Sequence, residues 1–103
     1  MKSSYSALEK TKFHFIGIGG IGMCGLAELL HNIGAYISGS DVGENANTDR
    51  LKSMGIKVYK GHSAENIGTA HVVVYSSAIA ASNPEIVEAR EKKIPLIPRA
   101  EAL

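Results

Sequence analysis

Two hydrophobic rhythms alternate along this chain. Lys12-Phe-His-Phe-Ile-Gly17 alternates polar and apolar positions and then turns apolar, which predicts a first strand. After a glycine-rich stretch, Ile18–Gly22, apolar residues recur at helical spacing from Ile21 to Ile33: Ile21, Cys24, Leu26, Ala27, Leu29, Leu30 and Ile33. That pattern predicts a mostly buried helix, closed by Gly34 where a left-handed conformation is wanted. Ala35–Gly39 predicts a short second strand with Ser40 and Asp41 at its carboxyl end. Asn47 or Thr48 can cap a short helix with Leu51 and Met54 inward, ended by Gly55. Lys57–Lys60 reads as a third strand, Gly61-His62 as a loop, and Ser63–Ile67 as a short helix at most. His71-Val-Val-Val-Tyr75 has almost no polar break, as in a strand of a parallel sheet buried on both faces. Asn83-Pro84-Glu85 is a helix start, with a capping amide, a proline at the first turn and an acid at the positive end of the dipole. That helix should run to about Lys92-Lys93, and Ile94–Ile97 should form a fifth strand.

Strands alternating with helices predict an α/β fold: a Rossmann-like parallel five-stranded sheet with helices on both faces. The 103 residues suit one domain. Residues 1–11 are polar and lack a period, so they are expected to be a flexible arm preceding an organised domain at 12–103. A net charge of +1 excludes a nucleic-acid footprint or an acidic tail. A single cysteine, Cys24, excludes an internal disulfide and is compatible with a reducing compartment. Residues 1–12 lack the apolar core of a secretory signal. Phe15–Ala27 carries no charge but contains five glycines and is too short to span a bilayer. A cytoplasmic protein with no membrane or nucleic-acid partner is expected.

The chemistry concentrates in Gly17-Ile18-Gly19-Gly20-Ile21-Gly22, which holds the spacing G-x-G-x-x-G between a strand and a helix. Gly17 permits the turn off the strand, Gly19 lets a phosphate approach the backbone, and Gly22 lets the helix lie close on the sheet. Free amides near Gly20 to Met23 would then face an anion at the positive end of the helix. Asp41 follows Gly22 by 19 residues, where such folds place a ribose-binding carboxylate. No G-K-[ST] tripeptide occurs in the chain, so the loop is not a triphosphate cradle, and a diphosphate held by backbone amides is expected. Ser76 and Ser77, beyond the fourth strand, either reach a phosphate or sugar or cap the following loop. His62 either lines a base pocket or is solvated. His14, His31 and His71 show no metal-ligand spacing and read as ordinary structural residues. Cys24 reads as a small buried apolar residue rather than a nucleophile.

The run Phe15–Glu28 closely resembles the start of the Mur ligases, in particular the branch that adds L-alanine to UDP-N-acetylmuramic acid. Ser38-Gly-Ser-Asp41, Gly61-His62, Ser76-Ser-Ala-Ile79, Asn83-Pro-Glu85, and Ile94-Pro95 with Arg99-Ala-Glu101 resemble the later landmarks in the same order. The resemblance covers residues 12–103 and implies the N-terminal, UDP-sugar-binding domain of a three-domain ligase. It implies diphosphate binding by the amides of Gly19, Gly20, Ile21, Gly22 and Met23, with Gly17 in the same substrate site. It also implies a ribose or uracil contact from Asp41, secondary contacts from Ser40 and His62, and Ser76, Ser77 and Ala78 near the phosphates and sugar. ATP and Mg²⁺ would belong to the central domain, whose G-K-T-T loop this chain does not contain. The chain alone is expected to have no cofactor, metal or catalytic residue. A ligase of murein recycling, acting on the same nucleotide sugar, is a close competitor, although the form of the loop favours the alanine-adding branch. On the glycine loop and Asp41 alone, an NAD(H)-binding module of an oxidoreductase or redox sensor remains open.

Overall fold

A computed structural model describes residues 8–99. It contains five strands: β1 (Lys12–Ile16), β2 (Tyr36–Asp41), β3 (Lys57–Lys60), β4 (Val72–Tyr75) and β5 (Leu96–Pro98). The helices among the described residues are α1 (Met23–Ile33), α2 (Ala46–Ser53) and α3 (Pro84–Glu91), and a 3-10 turn spans Ala64–Ile67. The sheet order is β3-β2-β1-β4-β5, and every pairing is parallel. The order reverses between β1 and β4, so a crevice opens at the carboxyl edge there, where open α/β sheets take their ligands.

The alternation of β1 divides the core. Phe13 and Phe15 face α1 and α2 and pack with Ile18, Met23, Leu26, Leu30 and Leu51. Ile16 faces the other side, with Ile67, Val73, Ile86 and Ala89 under α3. His14 shares that second side and is fully buried. In β4, Val73 and Val74 are both buried and belong to opposite clusters, as its unbroken apolar run required.

Several boundaries differ from the sequence reading. The backbone is already organised from Leu8: Lys10 N–H donates to Gly34 O at 3.0 Å and Leu8 packs on the core. The rest of the expected arm, residues 1–7, lies outside the described residues, as does the Ala100–Glu101 landmark. α1 begins at Met23, and Ile21, expected on its inner face, is 97% exposed in the loop. The cap of α2 is Asn45, not Asn47 or Thr48. Asn45 and Thr48 form a reciprocal capping box, each side chain accepting from the other's amide at 2.9 Å. Thr48 therefore lies inside the first turn, and Asn47 is free to reach elsewhere. β2 extends through Ser40 and Asp41, and His71 precedes β4 rather than joining it, its Nδ1 accepting from Lys12 N–H. β5 is Leu96–Pro98, two residues later than the expected start. Asn83 caps α3 as expected, accepting from Glu85 N–H at 2.9 Å.

Candidate functional site

The glycine loop leaves β1 tied to its neighbour. Ser40 O, in β2, accepts from both Gly17 N–H (2.8 Å) and Ile18 N–H (3.0 Å). Asp41 then closes the loop, its Oδ2 accepting from Gly19 N–H at 2.9 Å. On the other side of the loop, Gly19 O accepts from Asn47 Nδ2 at 3.0 Å and more distantly from Asn45 Nδ2. The first turn of α2 thus buttresses the loop.

These contacts narrow the amide row available to an anion. Gly19 N–H is taken by Asp41, Gly20 N–H donates to Gly17 O, and Met23 N–H donates to Gly20 O. Ile21 and Gly22 have no protein acceptor for their amides among the described residues. Gly22 also caps α1 with no side-chain hydrogen bond, so the positive end of the helix is unsatisfied there. Each glycine has a local reason. Gly17 and Gly22 both hold φ of +85°, which L side chains rarely adopt. At Gly19 a Cβ would meet Thr48 Cγ2 at 2.8 Å and Asp41 Oδ2 at 2.9 Å. At Gly22 it would meet the Arg99 guanidinium at 3.0 Å. The close approach at Gly19 is thus already to protein, and at Gly22 it is to Arg99 rather than to the sheet.

Beside the free amides lies a cleft of about 180 Å³ lined by Ile21, Met23, Ser76, Ser77, Pro98 and Arg99. Arg99 Nε donates to Gly22 O at 3.3 Å, bringing a cation to the mouth of the loop. Ser77 and Ala78 are exposed and Ser76 half-buried, all just beyond β4 at the switch point. The fold therefore gathers the amides of Ile21 and Gly22, the serines and Arg99 around one cleft suited to an anion. Two larger hollows, about 250 and 310 Å³, lie elsewhere, one including Lys12, Tyr36 and Thr69 and the other His31, Gly34 and Gly55. Neither touches the glycine loop.

Ser40 and His62 lie in a different setting. Ser40 is fully buried, and its hydroxyl donates to Glu85 Oε1 at 2.8 Å. His62 Nδ1 lies 2.9 Å from Ser40 Oγ and 3.5 Å from Glu85 Oε2. Glu85 is the hub. Its Oε1 also accepts from His14 Nε2 at 2.6 Å, and its Oε2 accepts from Asn66 Nδ2 (2.9 Å) and Ser63 N–H (3.1 Å). Burial pushes the Glu85 carboxyl up, but the hydrogen bonds from His14, Asn66 and Ser40 and the attraction of His14 outweigh it, holding the group below its ordinary 4.5. His14 Nδ1 in turn meets Ser38 Oγ at 2.7 Å.

Sequence reading missed this network. It treated Glu85 as a dipole-compensating acid and His14 as an ordinary structural residue. The available signal was a histidine at an inward strand position between two phenylalanines, since a buried imidazole needs partners. Nothing local in the sequence ties Arg99 to Gly22, 77 residues away. Cys24 packs half-buried against the core. Among the described residues, no group of three or more His, Cys, Asp or Glu could hold a metal, and no helix is long and apolar enough to cross a membrane.

Comparison with known proteins places this geometry in context. Residues 12–103 match a family model described as "Mur ligase family, catalytic domain". A relative from Bdellovibrio bacteriovorus, named UDP-N-acetylmuramate–L-alanine ligase, is 72% identical over 96 residues, covering 93% of this chain and 21% of the relative. Among solved structures, the UDP-N-acetylmuramate–alanine ligase of Thermotoga maritima superposes with a TM-score of 0.86 at 37% identity, covering 88% of this chain and 21% of that one. The UDP-N-acetylmuramate:L-alanyl-γ-D-glutamyl-meso-diaminopimelate ligase of Neisseria meningitides gives 0.77 at 30% identity, covering 86% and 28%. The chain spans about a fifth of the length of the curated relative it matches.

Proposed function

The chain belongs to the Mur ligase family, and from that premise we propose that it binds UDP-N-acetylmuramic acid for an ATP-dependent ligase that adds L-alanine to this nucleotide sugar in building peptidoglycan. The observation that carries the reading is the 72% identity to a relative named for that reaction, against 30% to the tripeptide-adding ligase. The diphosphate sits on the amides of Ile21 and Gly22 at the open end of α1, with Ser76, Ser77 and Arg99 around it. Gly17, Gly19, Gly20 and Met23 shape the loop, and Ala78 lies along the sugar. Asp41 serves the nucleoside side, its Oδ1 accepting among the described residues from no donor but a distant Gly43 N–H at 3.5 Å and so available to a ligand donor. Ser40 acts from beneath the site, and His62 borders it.

In the full ligase, ATP and Mg²⁺ would supply the activation of the muramyl carboxylate toward the amine of L-alanine. That chemistry is assigned to segments of the longer protein outside the matched fifth, because this chain has no G-K-[ST] loop. The contribution of residues 12–103 is to bind and orient the nucleotide, with no catalytic group of their own. A cytoplasmic location fits the lone thiol.

The test is a calorimetric titration of the chain with UDP-N-acetylmuramic acid beside NADH and ATP. Selective, saturable binding of the uridine nucleotide is expected. Selective binding of NADH would replace this reading with a redox-cofactor module, a reading the 72% relative does not favour.

A further inference from the structure

The hydrogens of the buried network can be counted, and the count reaches the site. Glu85 is held ionised, so its two oxygens only accept. Ser40 carries a single hydroxyl hydrogen, and at 2.8 Å from Glu85 Oε1 that hydrogen must lie between them, since two bare oxygens at that distance in a buried setting would repel. Ser40 Oγ therefore has only lone pairs to offer His62 Nδ1 at 2.9 Å. His62 must supply the hydrogen from Nδ1. Its second neighbour on that side, Glu85 Oε2, is 3.5 Å away, too far to decide where the hydrogen lies. Nε2 makes no hydrogen bond to any described residue, and since no buried side-chain nitrogen or oxygen goes unpaired, it reaches solvent.

We propose that Glu85 is a positioning residue that, through Ser40, locks neutral His62 in its Nδ1–H tautomer, so that the bare Nε2 accepts a hydrogen bond from the bound nucleotide. The ligand clause rests on the proposed function; the tautomer clause does not. His62 follows Gly61, whose amide donates to Asp41 O at 2.6 Å, so the imidazole stands at the carboxyl edge beside the acid of β2. A uridine nucleotide offers two kinds of donor there, the imide N–H of the base and the ribose hydroxyls, and either satisfies the acceptor. An imidazole in the opposite tautomer would present N–H, which repels the imide N–H and which a ribose hydroxyl could meet only by turning to accept.

The geometry also says what a neutral hub would do. In Glu85→Gln the backbone amide of Ser63 is a fixed donor, and it keeps the amide oxygen on the old Oε2 side together with Asn66. The new NH₂ then faces Ser40 and His14 and donates to both. Ser40 must turn its hydrogen toward His62 Nδ1, and His62 switches to the Nε2–H form. The substitution conserves shape and inverts polarity along a three-residue relay.

The experiment is nitrogen-15 NMR of the His62 ring in this chain at alkaline pH, where imidazole is neutral. Wild type is expected to show a protonated Nδ1 and a bare Nε2, and Glu85→Gln the reverse. A protonated Nε2 in neutral wild type, or an unchanged tautomer in a folded Glu85→Gln, would overturn the proposal. Should Glu85→Gln not fold, the wild-type spectrum still decides, and no ligand is needed for it. The ligand clause is read separately with UDP and its 3-methyl and 2′-deoxy analogues. His62→Ala should weaken UDP by about fivefold and one analogue not at all, which names the base or the ribose as the donor. Unchanged UDP affinity in His62→Ala would remove His62 as a nucleotide contact while leaving the tautomer clause to its own spectrum, and equal weakening of all three would assign the donor to the 3′-hydroxyl.

Discussion

Asp41 Oδ2 accepts the amide hydrogen of Gly19 at 2.9 Å, so the carboxylate that closes β2 is also the clasp of the glycine loop. The sequence spacing predicts a ligand contact from an acid at this position. The clasp adds a structural duty, and the two duties separate by substitution. Asp41→Ala leaves Gly19 N–H without its charged partner and should lower unfolding free energy by about 1.5 kcal/mol, read from urea denaturation. Asp41→Asn retains an oxygen for Gly19 and should lose less. If Asp41→Asn keeps its stability but binds UDP-N-acetylmuramic acid more weakly in calorimetry, the carboxylate contacts the ligand; unchanged affinity would confine Asp41 to the clasp.

Gly19 meets its steric limit in the protein itself. A Cβ there would lie 2.8 Å from Thr48 Cγ2 and 2.9 Å from Asp41 Oδ2. Gly19→Ala should therefore destabilise the fold by about 1–3 kcal/mol, as overpacking does, rather than act on ligand binding alone. Thr48→Ser removes Cγ2 and keeps the hydroxyl of the capping box. Adding it to Gly19→Ala should recover part of the lost denaturation midpoint. No recovery would mean that the Asp41 contact, not the methyl, sets the cost.

Local chemistry announced most of the frame. Gly34 and Gly55 end their helices at φ +111° and +89°, β4 is buried on both sides, and Asn83-Pro84 opens α3. Each of these is decided by a residue and its immediate neighbours. What stayed hidden depends on partners far along the chain. His14 and Glu85 are 71 residues apart, and Arg99 and Gly22 are 77 apart, so no periodicity could join them. Asn45, Asn47 and Thr48 all suit a helix start, and tertiary demand chose among them: Asn47 was needed at Gly19 O. Ile21 fits the helical spacing but lies in the loop, since α1 starts only after Gly22 turns the backbone at φ +85°.

The buried network gives stability a pH dependence of known sign. The folded Glu85 carboxyl titrates below its ordinary 4.5, so its contribution is fully present above that value. As pH falls toward the folded value, the unfolded chain takes up a proton that the folded chain resists, and stability drops. Glu28 and Glu44 are also held low, chiefly by hydrogen bonds from Arg50 and Lys52, but both are at the surface and screened by salt. In about 1 M salt the acid-side loss should therefore persist in wild type and flatten in Glu85→Gln. Persistence in that variant would assign the loss to other carboxylates. Glu85→Ala strands four donors and should cost about 3–5 kcal/mol at neutral pH, measured by denaturation.

Arg99 provides the sharpest test of where the diphosphate sits. Its Nε donates to Gly22 O at 3.3 Å, and it shares a cleft with Ser76 and Ser77 beside the free amides of Ile21 and Gly22. If phosphate oxygens occupy that cleft, Arg99→Ala removes a charged hydrogen bond of about 1.5–3 kcal/mol, or about tenfold to a hundredfold in affinity for UDP. Uridine, which lacks the phosphates, should be nearly indifferent to the change. Arg99→Lys keeps the charge but cannot hold Gly22 O and a phosphate in one planar fork, so it should fall between. The salt dependence of UDP binding should weaken in Arg99→Ala, because one screened attraction is gone. Equal losses for UDP and uridine would indicate damage to the loop through Gly22 rather than a lost phosphate contact. Unchanged affinity for both would place the diphosphate away from Arg99 and leave the two free amides and the serines to hold it.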